Sequence, residues 1–419
     1  MKVFVHSLGC RVNQYEAQLL QEKLADLPYA GELHVVNTCT VTSLADRKAR
    51  QRVRRLKREH PQALVVAVGC GADGAGARLR AAGADLVVGN RDKARLRSWI
   101  EAFLQGRPPP DGGWIPMDEE RVVGPAERAR ALLKVQDGCT VGCAFCRTWQ
   151  VRGPLRSKTP AVARDEAAAL ARAGHREIVI VGINLAQYGQ DLPNRPSLVD
   201  LLRELLQVDG VRFRLSSLNP EGVSGELVAL FAREPRLCPY LHLPLQSGDD
   251  RALQRMGRAY TAAEYRERAQ TFLAAVPRAT LGADVMVGFP GEDDAAFRRT
   301  AELLADLEPL NVHIFRFSPR PGTPAAGLRP PVPAEVAAQR AAELADLAAG
   351  WSRAARRRFL GEVLQVLVEE EDRGLLWGHA ENYLWVGVRG ARTAPRGTMV
   401  ATRLVQVDEG HMLGVMIDR

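Results

Sequence analysis

The chain has 419 residues with ordinary hydrophobic and charged content, enough for two or three globular domains. No apolar run approaches the ~20 residues that span a bilayer, which excludes a helical membrane protein. Its formal net charge of +8 favours a polyanionic partner, nucleic acid first; arginine placed in alanine-rich helices is the competing, purely compositional source.

The first segment, Met1-Lys2-Val3-Phe4-Val5-His6, reads as a strand start and is too short for a signal peptide, so the expected compartment is the cytoplasm. Seven cysteines, an odd number, argue against a complete disulfide framework and fit thiolate ligands in a reducing compartment. Three apolar runs each lead to a cysteine: residues 3–5 to Cys10, 33–36 to Cys39 and 64–68 to Cys70. Helical stretches at 14–26 and 44–59 follow the first two, and the alternation predicts a parallel α/β sheet. Ligands bind such sheets outside the carboxyl ends of the strands, which is where all three cysteines fall. They form either a three-thiolate cluster site with one open iron or three small buried hydrophobes. Residues 47–58, RKARQRVRRLKR, predict a helix that is basic almost all round. It is either a solvated face or a phosphate-contacting element; on the second reading charge density alone makes Arg52, Arg54, Arg55 and Arg58 the candidate contacts to nucleic-acid phosphates. The Pro/Gly-rich stretch 106–124 marks the first domain boundary.

An apolar strand at 131–135 then leads to Cys139, Cys143 and Cys146, spaced C-x3-C-x2-C. Three thiolates are one short of the set that holds a 4Fe–4S cluster, which leaves one iron free to bind a substrate. A zinc knot is the alternative, but zinc ligands usually come as C-x2-C pairs with a second pair or histidines further on, and none follows. Strands at 178–181, 212–215, 241–245, 281–287 and 312–317 alternate with helices at 161–173, 198–206, 224–233, 262–275 and 293–307. With the strand at 131 they predict a partial (βα)6 barrel related to the eight-stranded TIM barrel, with its chemistry at the carboxyl ends of the strands. Those ends carry small and polar residues, as close approach to a cofactor requires. Ser216, Gln246 and Asp284 are the candidate cofactor contacts. His242 is expected to pack or to support the site, and Cys238 to be a plain packed thiol.

A helical pattern at 335–360 is followed by a change to period two at 363–368, 375–379, 384–388, 399–407 and 412–417. Such short strands predict a small β-barrel, either a structural cap or an RNA-binding module. Trp377, Tyr383 and Trp385 are expected in its core rather than stacking on bases. The division expected is 1–124, 125–350 and 351–419.

The whole chain resembles the radical S-adenosylmethionine methylthiotransferases. The resemblance rests on SLGCRVNQYE (7–16), NTCTVT (37–42), the C-x3-C-x2-C loop, LHLPLQSG (241–248), DVMVGFPGE (284–292) and RPGTPAA (320–326). It implies an N-terminal methylthiotransferase domain, a radical barrel and a C-terminal TRAM barrel. The residues after Cys10, with Gly182-Ile183-Asn184-Leu185, resemble the branch that acts on N6-threonylcarbamoyladenosine beside the tRNA anticodon. By this resemblance Cys139, Cys143 and Cys146 hold a radical 4Fe–4S cluster, and Cys10, Cys39 and Cys70 an auxiliary one. Of two S-adenosylmethionine molecules, one would methylate the sulfur and the other would make the radical. A reducing donor such as flavodoxin or ferredoxin is implied. Other readings are isopentenyladenosine tRNA or a ribosomal protein as substrate, or a non-catalytic Fe–S RNA-binding sensor. Two stretches depart from the family: Arg147-Thr148-Trp149 stands where Ile-Ile-Pro is usual, and Gly71-Ala72-Asp73 where an aromatic or Met precedes Ala-Gln. Neither removes a cluster ligand.

Overall fold

The computed structural model describes residues 2–124, 128–390 and 394–417. The expected boundary at 125 and the end of the chain at 419 lie outside the described residues, as does Met1. The first unit is a parallel sheet in the order β1 (Lys2–Ser7), β2 (Glu32–Thr38), β3 (Leu64–Gly69), β4 (Leu86–Val88). The two middle strands are buried on both faces, which explains their unbroken apolar runs. On one face lie α1 (Arg11–Leu24) and α4 (Leu96–Leu104), whose Leu20, Leu24, Leu96 and Ile100 pack on Leu33, Val35, Val66 and Val68. On the other lie α2 (Ser43–Glu59) and α3 (Cys70–Arg80). The basic helix α2 offers the sheet only Ala49, Val53 and Leu56, a stripe at helical spacing, and leaves its arginines outside.

The central unit contains β5 (Arg130–Lys134), β6 (Gln136–Asp137), α5 (Thr148–Arg152), β7 (Arg156–Ser157), α6 (Pro160–Arg172), β8 (Glu177–Val181), α7 (Leu198–Leu205), β9 (Arg212–Leu215) and α8 (Gly225–Arg233). It continues with β10 (Tyr240–Gln246), α9 (Asp250–Met256), α10 (Ala262–Ala275), β11 (Thr280–Val287), α11 (Asp294–Leu307) and β12 (Asn311–Arg316). Strands β5-β8-β9 and β10-β11-β12 form two parallel sheets, joined by bridges Phe213↔Leu237 and Ser217↔His242. Together they form the partial six-stranded barrel expected from the βα pattern. Leu241, Leu243, Leu245, Leu281, Ala283 and Val285 join the shell core, so the alternate residues His242 and Asp284 face inward. Val12, Tyr15 and Leu19 of α1 belong to this core too. One helix therefore seals two domains, with Leu20 and Leu24 on its own sheet.

Helix α12 (Ala334–Arg357) runs unbroken through position 350, with Leu344 in the central core and Ala355 in the next one. The last unit is a closed barrel of β13 (Val363–Asp372), β14 (Leu375–Ala380), β15 (Trp385–Arg389), β17 (Met412–Met416) and β16 (Met399–Val407), in that spatial order. Leu376, Ala380, Val386 and Val388 fill its interior. Strand alternation then puts Trp377 and Trp385 on the outer face, where their rings stack at 5.9 Å, so the core placement expected for them is wrong.

The turn between β14 and β15 plugs the amino-terminal floor of the central barrel. Tyr383 adopts φ +71° there and stacks on Tyr240 at 4.4 Å. Arg214 donates to the carbonyls of Ala380 and Glu381, and Arg212 to those of Gln365 and His379. Both guanidiniums also grip Glu177 at 2.7 Å. Arg11 reaches from the first domain to donate to the Tyr383 hydroxyl at 2.6 Å. Burial alone would raise that phenol's pKa, but Arg11, Arg130 and Arg214 hold it below its ordinary value. Tyr383→Ala should cost ~3 kcal/mol, the low end for deleting a large buried ring. Tyr383→Phe keeps the stack and should cost ~1 kcal/mol, about one hydrogen bond. Urea midpoints should therefore fall in the order wild type, Phe, Ala.

Candidate functional site

Cys10, Cys39 and Cys70 meet at the carboxyl rim of the first sheet because side chains staple its three loops together. Asn13 Nδ2 donates to the carbonyl oxygens of Leu8 (2.7 Å) and Thr38 (3.0 Å), and Asn37 Nδ2 donates to that of Asn13 (2.9 Å). Thr38 Oγ1 donates to the Val68 carbonyl at 2.7 Å and accepts from Gly71 N–H at 3.1 Å. Gly9 has φ +101°, and a Cβ there would lie 2.6 Å from Cys39 Sγ, so glycine is what lets Cys39 approach. Cys39 and Cys70 are buried and Cys10 is exposed. Burial pushes the Cys39 thiol up to about 11 and raises that of Cys70, while Arg152 pulls against both shifts.

The second triad sits on a lasso. The short strands β6 and β7 pair antiparallel and close its base. At Gly138, φ +76°, a Cβ would lie 2.0 Å from the Pro154 carbonyl oxygen. Cys139 Sγ accepts from Asn184 Nδ2 at 3.7 Å, and Cys143 Sγ from Arg258 Nη1 at 3.3 Å. Burial raises both thiols, and Arg258 draws Cys143 back down. Arg258 also donates to Asn219 Oδ1 and to the Tyr260 hydroxyl, at 3.1 Å each. Sequence reasoning missed Arg258; its one local signal is its place just after Gly257, the left-handed cap of α9.

Both triads fit an iron–sulfur cluster held by three thiolates. All their cysteines are free, and each triad presents sulfur donors with a buried cation nearby. Cys238, also free and buried, is far from both triads in the fold, beside Arg214 and Glu177.

Arg152, only 1% exposed, ties the two triads together. Its Nη2 donates to Asn13 Oδ1 at 2.6 Å, and its Nη1 pairs with Glu16 at 2.6 Å and Asp137 at 3.3 Å. Lys134 bridges Glu16 (2.9 Å), Glu120 (2.8 Å) and Asp137 (2.6 Å). Lys93 adds Glu16 at 2.6 Å, and Arg156 adds Glu120 and Asp137. Burial alone would protonate Glu16 and Asp137, yet these cations hold both well below the usual carboxylate range.

Arg147, in one departure from the family pattern, reaches Gly74, the residue just after the other. The Arg147 guanidinium lies over Gly74, where a Cβ would meet Nη2 at 2.4 Å, and its Nη1 donates to the Pro321 carbonyl at 3.1 Å. The 318–324 turn clasps the Cys39 loop as well: Arg320 donates to Thr40 Oγ1 at 2.8 Å and pairs with Asp46, and Ser318 bonds Ser43.

The candidate cofactor contacts divide by depth. Ser216 follows β9, buried, with no partner for its Oγ among the described residues. Gln246 ends β10 at a bulge with φ +66°. Asp284 lies in mid-strand, accepting from His242 at 2.8 Å and His313 at 3.1 Å. On the basic helix, Arg54, Arg55 and Arg58 are exposed. Arg52 donates to His6 at 2.8 Å and Arg55 pairs with Glu59.

Residues 133–304 match the Radical SAM superfamily, and residues 2–89 match a family described as uncharacterized protein family UPF0004. Threonylcarbamoyladenosine tRNA methylthiotransferase MtaB of Thermotoga maritima is 36% identical over 91% of this chain and 90% of its own. The protein of that name from Bacillus subtilis is 32% identical over 99% and 97%. A tRNA-2-methylthio-N(6)-dimethylallyladenosine synthase of Pelobacter propionicus is 32% identical over 99% and 98%. In fold, the chain is similar to the radical S-adenosylmethionine methyltransferase TsrM of Kitasatospora setae, with TM-score 0.59, 15% identity, and 78% and 77% of the two chains covered.

Anaerobically reconstituted protein should carry about eight iron atoms, as two four-iron clusters require. Changing Cys139, Cys143 and Cys146 together to Ala should leave about four. Iron and sulfide analysis checks both values.

Proposed function

This chain belongs to the radical S-adenosylmethionine methylthiotransferase family, and on that premise we propose that it places a methylthio group on C2 of N6-threonylcarbamoyladenosine beside the tRNA anticodon. The observation that carries the reading is the pair of three-thiol sites locked together by Arg152. The substrate assignment is supported by the residues from Arg11 to Glu16 and by the names of the relatives.

When bound, the two clusters and S-adenosylmethionine supply a hydrogen-abstracting radical and the sulfur to be transferred. We assign Cys139, Cys143 and Cys146 to the radical cluster and Cys10, Cys39 and Cys70 to the auxiliary one. Arg258 and Asn184 hydrogen-bond the first set of sulfurs; Arg152 and Lys93 place positive charge beside the second. Ser216, whose buried hydroxyl lacks a partner, and Gln246 at its strand end are the cofactor contacts, with Asp284 held by its two histidines below them. The turn at 318–324 and Arg147 bridge the seam between the domains. The working division remains 1–124, 125–350 and 351–419. A low-potential electron donor such as flavodoxin or ferredoxin and a cytoplasmic setting belong to the same proposal. No helix among the described residues is long and apolar enough to cross a membrane, and every cysteine is free, as a reducing compartment keeps it.

Changing Cys10, Cys39 and Cys70 together to Ala should leave reductive cleavage of S-adenosylmethionine intact and abolish methylthio product. Product at wild-type level would refute the auxiliary assignment.

The tRNA is a large polyanion, so much of its affinity should come from phosphate contacts and fall with salt. We assign Arg52, Arg54, Arg55 and Arg58 of α2 to those contacts. Changing all four to Gln should weaken tRNA binding and flatten its log–log salt slope by about two to four units, near one per lost contact. An unchanged slope with unchanged affinity would make α2 a solvated face.

A further inference from the structure

A second set of donors lies on the first sheet, well away from the cysteines. Glu32 opens β2 and His34 follows two residues on, so both side chains share one face of the strand. His60 caps the carboxyl end of α2 and leans over the same face, its ring 4.5 Å from that of His34. His34 Nε2 stands 3.3 Å from Glu32 Oε1, and His60 Nδ1 stands 3.1 Å from Glu32 Oε2. One donor atom from each residue lies within 4.8 Å of the other two. His34 is 3% exposed, and its Nε2, aimed into this group, has no aligned hydrogen-bond partner among the described residues. Its nearest oxygen, Glu32 Oε1, is off the line of a good hydrogen bond, and a buried ring nitrogen so poorly met is costly.

We propose that Glu32, His34 and His60 bind a divalent transition-metal ion of the zinc class, distinct from the cysteine sites. One carboxylate and two imidazoles form a three-ligand set of the kind zinc takes with water as a fourth ligand. Nitrogen and oxygen donors with no sulfur favour such an ion over iron–sulfur chemistry. The carboxyl end of α2 carries the negative end of the helix dipole, which favours a cation beside His60.

The surroundings make the proposal specific. His34 Nδ1 meets His6 Nε2 at 2.9 Å, and Arg52 Nη2 lies 2.8 Å from His6 Nδ1. A guanidinium only donates, so His6 accepts at Nδ1 and carries its proton on Nε2, which donates to His34 Nδ1. Neutral His34 then carries its own proton on Nε2, the atom that must ligate. Coordination requires both rings to shift tautomer. His34 holds its one proton on Nδ1 and donates to His6 Nε2, and His6 holds its one proton on Nδ1. The proton count is unchanged, but Arg52 loses its acceptor and is released from the sheet. The ion thus fastens the end of the basic helix to the start of β2 and frees an arginine of that helix. His6 becomes the partner that orients a metal-ligating histidine.

The test uses holoenzyme with both cluster sites filled, dialysed against micromolar zinc sulfate. Expected is one zinc per chain beyond the iron, whose X-ray absorption shows nitrogen and oxygen neighbours at ~2.0–2.1 Å and no sulfur. Glu32→Gln combined with His60→Ala, both at part-exposed positions, should lose that zinc while keeping its iron and its circular dichroism. Arg52→Ala removes the donor that opposes the tautomer shift and should tighten zinc binding, by up to about tenfold on the scale of such outer contacts. The proposal is overturned if the holoenzyme takes up no extra zinc, if the zinc has sulfur neighbours, or if the Glu32/His60 variant retains it.

Discussion

The structure depends on one buried guanidinium. Arg152 sits where the first helix of the first domain meets the cysteine lasso of the second, and it bonds Asn13, Glu16 and Asp137 at once. Asn13 is the residue that staples the Cys10 and Cys39 loops, and Asp137 stands two residues before Cys139. Charges taken out of water are expensive, and such a group persists only where opposite charges and hydrogen bonds offset that cost. Here Lys93, Lys134, Arg152 and Arg156 face Glu16, Glu120 and Asp137, which leaves one positive charge in excess. That excess lies beside Cys10 and Cys70, where thiolates need it. Losing any one of the three carboxylates would strand a further buried cation at a cost of roughly 3–5 kcal/mol, so the relative placement of the two triads is rigidly specified.

The same logic makes the three domains a single machine. Helix α1 contributes Leu20 and Leu24 to one core and Val12, Tyr15 and Leu19 to another. Arg11, next to Cys10, ends on Tyr383 of the last barrel. The 318–324 turn reaches back from β12 to the Cys39 loop. Arg147, within one of the departures from the family pattern, conforms to it too, since it needs the space that Gly74 leaves.

Much of this was legible in the sequence because it is periodic. Apolar runs ending in cysteine located the first sheet and its rim, and the βα alternation located the barrel strands. Period two located the last barrel, but not which face its tryptophans take; Trp377 and Trp385 lie outside because Leu376 and Val386 already claim the interior. The short strand β4 and the helix α3, with glycines at 71, 74 and 76, show no amphipathic signal and are held by packing of Ala72 and Leu79. The roles of Lys134 and Arg258 could not be read locally, because Glu16 and Glu120 for the one and Cys143 and Asn219 for the other are far away in sequence. Lys134 even interrupts an apolar strand, the one hint that something buried must neutralise it.

The central claim, that two thiol sites joined at Arg152 form one methylthiolating site for this tRNA base, is tested most directly by mass analysis of tRNA nucleosides. The comparison is a strain lacking this chain, complemented with wild type or with Arg152→Leu. The account predicts loss of 2-methylthio-N6-threonylcarbamoyladenosine and accumulation of its unthiolated precursor, restored by wild type and not by Arg152→Leu. An unchanged methylthio nucleoside in the deletion strain, or a loss confined to the isopentenyladenosine derivative, would contradict it.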